Sequence, residues 1–314
     1  MLSIASMSLA CGGHTEVARV TIRSAAGPPL RIEEPPPLEE RRVIARVRTA
    51  ALATDIDRIY FGDVARDELD AAPKAGGERS RVGIGAPLEI AVGERVDWIG
   101  APGNVVMTMR PGEPSRVLLR TRGVFTDVAS DGPDVFVTDA MQESGVLTRI
   151  TNTKATRLAR FDARPVELAL DAMNAYVLFD SKVVAVPRTG GEPRTVFEGE
   201  ALRGLDVSGG GVFTTAMVGP SRALIRQDVR GGRAVVLQHA VREGPFAVFA
   251  GQVYYLEAEE PTIRRVATNG GASGIVARAP ELARVSKLLV DGSGIYLVTE
   301  DERGPLVLGL PRPG

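Results

Sequence analysis

A unit of roughly forty residues recurs seven times along this chain of 314 residues, and no other feature constrains the fold as strongly. The unit is plainest at the end, where LLVDGSGIYLVTEDERGPLVLGLPRPG (288–314) runs through an apolar strand, a tight turn, an aromatic strand, a loop and a third apolar strand. Alignment on the aromatic strand gives the column Tyr60, Asp97, Phe136, Tyr176, Phe213, Tyr254 and Tyr296, at spacings of 37, 39, 40, 37, 41 and 42 residues. In the second copy the ring slips one place, to Trp98. The chain has only 15 aromatic residues, and seven lie on or beside this column, so chance does not explain it. Five residues before the column stand Asp55, Val92, Asp131, Asp171, Ser208, Phe249 and Asp291. An Asp there can accept hydrogen bonds from backbone amides two residues on and close a hairpin.

A second turn follows the column at Gly76-Gly77, Pro111-Gly112, Gly190-Gly191, Gly231-Gly232, Gly270-Gly271 and Pro313-Gly314. Gly-Gly predicts two-residue hairpin turns with positive φ, and in the third copy, ITNTKATRL, Asn152 takes that place. Beyond the turn six copies continue into a fourth apolar segment: RSRVG, SRVLL, ATRLA, RTVFE, RAVVL and SGIVA. Four short strands joined by turns, with no useful helical period, predict an all-β chain: a seven-bladed β-propeller of four-stranded blades. The seventh copy has three strands, and a missing outer strand would leave an open edge. RRVIARVR (41–48) supplies the replacement, because Ile44 lies nine residues before Ala53 just as Val196 lies nine before Leu205. Residues 42–47 are therefore predicted to complete the last blade, giving a propeller domain over 41–314.

The formal net charge of −1 gives no pull toward nucleic acid. The single Cys11 excludes an internal disulfide framework, and two histidines, His14 and His239, leave little for a His-based triad or metal cluster. No stretch reaches the 18 apolar residues of a spanning helix. Residues 12–40, with Pro28, Pro29, Pro35, Pro36, Pro37 and, among them, Glu33, Glu34, Glu39 and Glu40, favour extended conformations and read as a tether.

Two resemblances add to this. Leu9-Ala10-Cys11, after the apolar MLSIASMS, resembles the end of a bacterial lipoprotein signal, which implies lipidation of Cys11, a signal over 1–11 and an envelope location. No Lys or Arg precedes the apolar run and Ser8 stands where Leu is usual, so a cytoplasmic chain with an incidental Cys stays open. IRRVATNGG (263–271) and VVAVPRTGG (183–191) resemble the propellers of bacterial extracytoplasmic proteins of the NHL-, YncE- and TolB-like type. That resemblance covers 42–314 and implies a fold, since the shared residues are turn and core positions. The S-P-D-G turns of TolB-like chains are absent, with only SDGPD (130–134) as an echo, so a role in the Tol system is not implied.

No phosphate loop, HExxH or EF-hand spacing appears, and the expected inner strands, such as LALD, LLVD and FAVF, are mostly apolar. Two charge patterns remain. The loops between second and third strands are acidic: Asp63, Asp67 and Glu68; Asp139 and Glu143; Asp180; Glu257, Glu259 and Glu260; Glu300, Asp301 and Glu302. The connections between blades carry arginine, and Arg122, Arg164, Arg203, Arg242 and Arg284 form a candidate rim for an anionic ligand. Only four lysines accompany these arginines, so an arginine-rich coding background is the competing explanation. The expectation is a monomeric, envelope-tethered, non-catalytic propeller with no cofactor or metal, binding a protein, ligand or cell-envelope partner through its loop rim. A divalent-cation-dependent hydrolase or lactonase, and a cytosolic adaptor, are the alternatives.

Overall fold

The computed structural model describes residues 41–311. The signal, the tether, Cys11, His14 and the Pro313-Gly314 turn lie outside them. Seven four-stranded antiparallel sheets follow one another, and among the described residues there is no α-helix, only a 3₁₀ turn at Pro280–Arg284. Blades 1 to 6 cover 52–84, 87–120, 124–161, 167–198, 200–239 and 247–278. Within each, chain order equals sheet order, from the inner strand to the outer. Consecutive inner strands lie side by side, and the inner strand of blade 7, Lys287–Val290, returns against that of blade 1, Leu52–Thr54. The ring is closed.

Blade 7 takes three strands from the end of the chain and the fourth from its beginning. Arg42–Ala45 pairs antiparallel with Gly304–Leu310, with Arg42 opposite Gly309 and Ala45 opposite Val307. The expected span of 42–47 is shortened to 42–45, with Ile44 bulged out of the register. The same bulge recurs in every other outer strand, where the unpaired residues are Val82, Leu118, Leu158, Val196, Leu237 and Val276. All seven are aliphatic. A bulge turns one extra side chain toward the sheet face, and here each reaches the apolar cluster shared with the following blade. Gly309 leaves the space that Ile44 fills, since a Cβ there would stand 3.2 Å from Ile44 Cδ1.

The core is accordingly divided into seven wedges, one at each junction between blades. The column residues Tyr60, Phe136, Tyr176, Phe213, Tyr254 and Tyr296 all face the next blade, and their strand neighbours face the previous one. In blade 2 the column residue Asp97 meets blade 3 through Ser130 Oγ at 2.8 Å, with Arg95 Nε at 3.1 Å as its countercharge. Trp98 is turned the other way, onto Tyr60.

The Asp column divides into two devices. Asp55 and Asp171 each accept amides from two and three residues on, at 2.6–2.8 Å, and also the hydroxyl of their own column tyrosine, Tyr60 or Tyr176. Asp291 closes its own hairpin as well, but it and Asp131 tie two blades together by accepting Lys74 and Arg188 from the blade that follows. Those cations also lie over the column rings, Lys74 over Tyr296 at 5.7 Å and Arg188 over Phe136 at 5.0 Å. The Gly-Gly pairs do have positive φ, yet they sit inside longer connections, such as 188–193 and 268–273, where the first Gly amide closes a turn onto the carbonyl three residues back. Only blade 3 makes the two-residue turn, with Asn152 at φ 48 and Thr153 at φ 77.

Removal of residues 1–48 should abolish cooperative thermal unfolding, because it strips blade 7 of its outer strand and uncovers the last wedge. Calorimetry checks this: a truncated chain that melts as sharply and as late as the full one would refute closure by the N-terminal strand.

Candidate functional site

Each inner strand starts at one rim of the ring, here the upper rim, and the connections between blades and the second-to-third-strand loops share that rim. The hairpins closed by the Asp column lie on the lower rim. The channel inside the inner strands and the upper rim around it are the places where polar groups converge.

The channel is not apolar, contrary to the expectation from LALD, LLVD and FAVF. Glu89, Asp127, Glu167 and Lys287 occupy one register, each opposite the residue two places after the column in the neighbouring strand. In the remaining blades that position holds Ala51 and Pro245 and, in blade 5, Arg203, beside which Gly204 is bulged out of the register. Lys287 Nζ reaches past the short Ala51 to donate to both oxygens of Glu89, at 2.7 and 2.8 Å. Asp127 Oδ2 accepts the Leu168 amide of blade 4 at 2.6 Å. Glu167 accepts the Gly204 and Leu205 amides of blade 5 at 3.1 and 2.8 Å. Asp206, deeper in the channel, accepts the Val248 amide of blade 6 at 2.9 Å. Three successive blades are thus stitched to the next by a carboxylate.

Three carboxylates around one ammonium leave this layer with excess negative charge. Burial, and then the charges of Glu89 and Glu167, push the Asp127 carboxyl well above the ordinary carboxylate range. Burial raises Glu167 in the same direction and pushes Asp206 up to about 6. Burial acts to lower the pKa of Lys287, but the surrounding carboxylates, Glu89 first, outweigh it, and the lysine lies above its usual value. Among the described residues no group of three or more His, Cys, Asp or Glu is placed to hold a metal ion.

On the upper rim the two charge patterns largely meet each other. Arg203 pairs with Asp180 at 2.6 Å and lies 3.5 Å from Glu243. Arg278 pairs with Glu260 at 2.5 Å, Arg284 with Glu300 at 3.5 Å and Arg46 with Asp301 at 2.9 Å. Arg242 donates to the carbonyls of Leu282 and Ala283 at 2.7 and 2.9 Å, which locks the approach to blade 7. Of the five candidate rim arginines, three are therefore engaged within the ring. Arg122 and Arg164 are exposed and make no ion pair or side-chain hydrogen bond among the described residues.

Depressions among the described residues open on this rim. One of about 800 Å³ lies between blades 6 and 7 and is lined by paired charges, Arg46 with Asp301 and Arg284 with Glu300 among them. One of about 440 Å³ lies at the channel mouth, lined by Glu89, Phe125, Thr126, Arg164, Asp180 and Arg203. It brings two of the candidate arginines, Arg164 and Arg203, to one place. One of about 500 Å³ lies between blades 2 and 3 and holds Arg120, Arg157 and Arg160 with Asp139 and Met141. Burial raises the Asp139 carboxyl, and the charge of Arg157 opposes that rise. The channel layer leaves no recurring signal among the repeats. Scanning nine residues before the column, or eight in blade 2, would have found Asp127, Glu167, Lys287 and Glu89 in one row.

No family model matches the chain, and no curated protein sequence matches it. Solved structures do. Virginiamycin B lyase from Staphylococcus aureus superposes with a TM-score of 0.69 at 10% identity, over 87% of this chain and 99% of that one. A catalytically inactive His-to-Ala variant of that lyase with quinupristin gives 0.68 at 11%, over 86% and 99%. Oligogalacturonate lyase from Vibrio parahaemolyticus gives 0.66 at 9%, over 86% and 91%. At such identities these likenesses show the propeller fold.

The channel carboxylates set a pH dependence. A carboxyl whose folded pKa is raised favours the protonated state, so its contribution to stability falls as pH rises through the window from the unfolded value of about 4 to the folded value. For Asp206 that window ends at about 6. Asp206→Asn keeps an acceptor for the Val248 amide and removes the titration. The variant should lose less melting temperature than the native chain between pH 4.5 and 7, roughly the same window, and match or exceed it at pH 7. An equal loss in both chains would contradict the assignment.

Proposed function

We propose that this chain is a non-catalytic binding propeller that engages a protein or ligand partner through its upper rim. The observation that carries the reading is the use made of the channel carboxylates. Asp127, Glu167 and Asp206 hold the neighbouring blades and Glu89 holds Lys287, so the groups a propeller enzyme would turn toward a substrate serve the ring. The likeness to lyases carries no chemistry here. One of those structures is inactivated by loss of a histidine, whereas the single histidine among the described residues, His239, is exposed at the end of the outer strand of blade 5. In this reading the ring is a monomer held at the cell envelope, an anchoring supported by the Pro- and Glu-rich segment and by Cys11 after its apolar run. The NHL-, YncE- and TolB-like pattern of the repeat agrees with that location.

A photo-reactive side chain introduced at Glu143 or Glu302 on the upper rim should cross-link a partner in cells. The same group at Ala172 or Gly292 on the lower rim should not. Adducts only from the lower rim, or none from either, would overturn the reading. Palmitate labelling that disappears in Cys11→Ser tests the anchor separately, and a chain that is never labelled would leave the cytoplasmic adaptor.

A further inference from the structure

We propose that the sector of the upper rim over blades 2 to 4 docks an acidic polypeptide segment carrying apolar side chains between its carboxylates. The assignment rests on the rim reading above and narrows it to one sector and one partner chemistry. Around most of the rim the arginines meet a carboxylate or carbonyl of the ring, Arg48 and Arg303 excepted. In this sector the neutralising loop is missing. The second-to-third-strand loop of blade 2 is Ala101-Pro102-Gly103-Asn104, with no acid in it. Arg120, Arg122, Arg160 and Arg164 are exposed and make no ion pair or side-chain hydrogen bond among the described residues, and Arg157 lies beside Asp139 without a direct pair. Asp180 and Glu89 at the channel mouth are already held by Arg203 and Lys287, which leaves Asp139, Glu143 and Asp162, so five unpaired guanidinium groups stand among three unpaired carboxylates.

The shape favours a chain over a small anion. Arg120, Arg157 and Arg160 line the depression of about 500 Å³ and Arg164 that of about 440 Å³, so the group is divided between two depressions rather than gathered around one phosphate-sized anion. Met141, Val124 and Val166, exposed to 54%, 45% and 36%, share the same rim sector. Guanidinium forks bind carboxylates in pairs, and the exposed methionine and valines offer contact to apolar side chains between them. A nucleic acid would call for exposed aromatic rings to stack on its bases, and among the described residues no aromatic residue is one of the exposed large hydrophobic side chains.

The test is fluorescence anisotropy of the full chain with a fluorescein-labelled peptide of repeating Glu-Leu, a Lys-Leu peptide as control, and anionic phosphatidylglycerol vesicles as competitor. Glu-Leu should bind in a salt-sensitive way, while Lys-Leu should not bind. The combined variant Arg120→Gln, Arg122→Gln, Arg160→Gln and Arg164→Gln should fold normally, since these side chains are exposed. It should bind about tenfold more weakly, equivalent to about 1.4 kcal/mol. Arg278→Gln with Arg284→Gln, taken from the paired part of the rim outside these two depressions, should change affinity by less than about twofold. Equal losses in both variants would overturn the sector, and vesicles that displace the peptide at comparable concentration would overturn the partner class. Cross-links at Glu143 without peptide binding would overturn this assignment alone and leave the rim reading standing.

Discussion

The pairing of Arg42–Ala45 with Gly304–Leu310 is the contact on which the rest of the molecule depends. A four-stranded blade cannot bury both of its faces alone, and a row of blades leaves two faces bare at its ends. Here the bare faces would expose Tyr296 and Val298 on one side and Ile59 and Phe61 on the other. Closure puts them in one wedge. The entropy of closing the ring is met once, by joining the two ends of the chain in one sheet. Arg46 on Asp301 and the Arg42 guanidinium on the Lys74 carbonyl then tie the closing strand to its surroundings.

With the core split into seven wedges, polar groups are free to do what aromatic packing does elsewhere. Asp97 and Arg95 replace a column ring at the junction of blades 2 and 3, and Asp131 and Asp291 grip a cation from the following blade. In the channel, carboxylates catch the exposed amides of the next inner strand. The energetic cost is visible in the upward shifts of Asp127, Glu167 and Asp206, which burial drives and which the charges of Glu89 and Glu167 reinforce at Asp127. Function in this arrangement moves outward, to loops that the ring holds still.

Much of the fold was legible because its determinants recur. The aromatic column, the Asp before it and the spacing from Ile44 to Ala53 fix blade count, register and closure before any coordinate is known. The site was less legible because its determinants do not recur. Glu89, Asp127, Glu167 and Lys287 share a register with Ala51, Arg203 and Pro245, and only closure brings Lys287 to Glu89. The pairing of Arg203 with Asp180 depends on which loop folds over which connection, and a list of acidic loops beside a list of basic connections conceals that they neutralise each other. The turns show the same limit on a smaller scale. Gly-Gly announced positive φ but not the length of the connection around it, whereas Asn152-Thr153 made the short turn.

Hydrogen exchange under native conditions tests the central claim most directly. If the ring is one cooperative unit locked by its N-terminal strand, the amides of Val307 and Leu308 should open with the same free energy as those of Val177 and Val184 in blade 4, across the ring. Opening of the blade 7 amides at markedly lower free energy, while blade 4 stays protected, would contradict closure as the constraint that holds the fold.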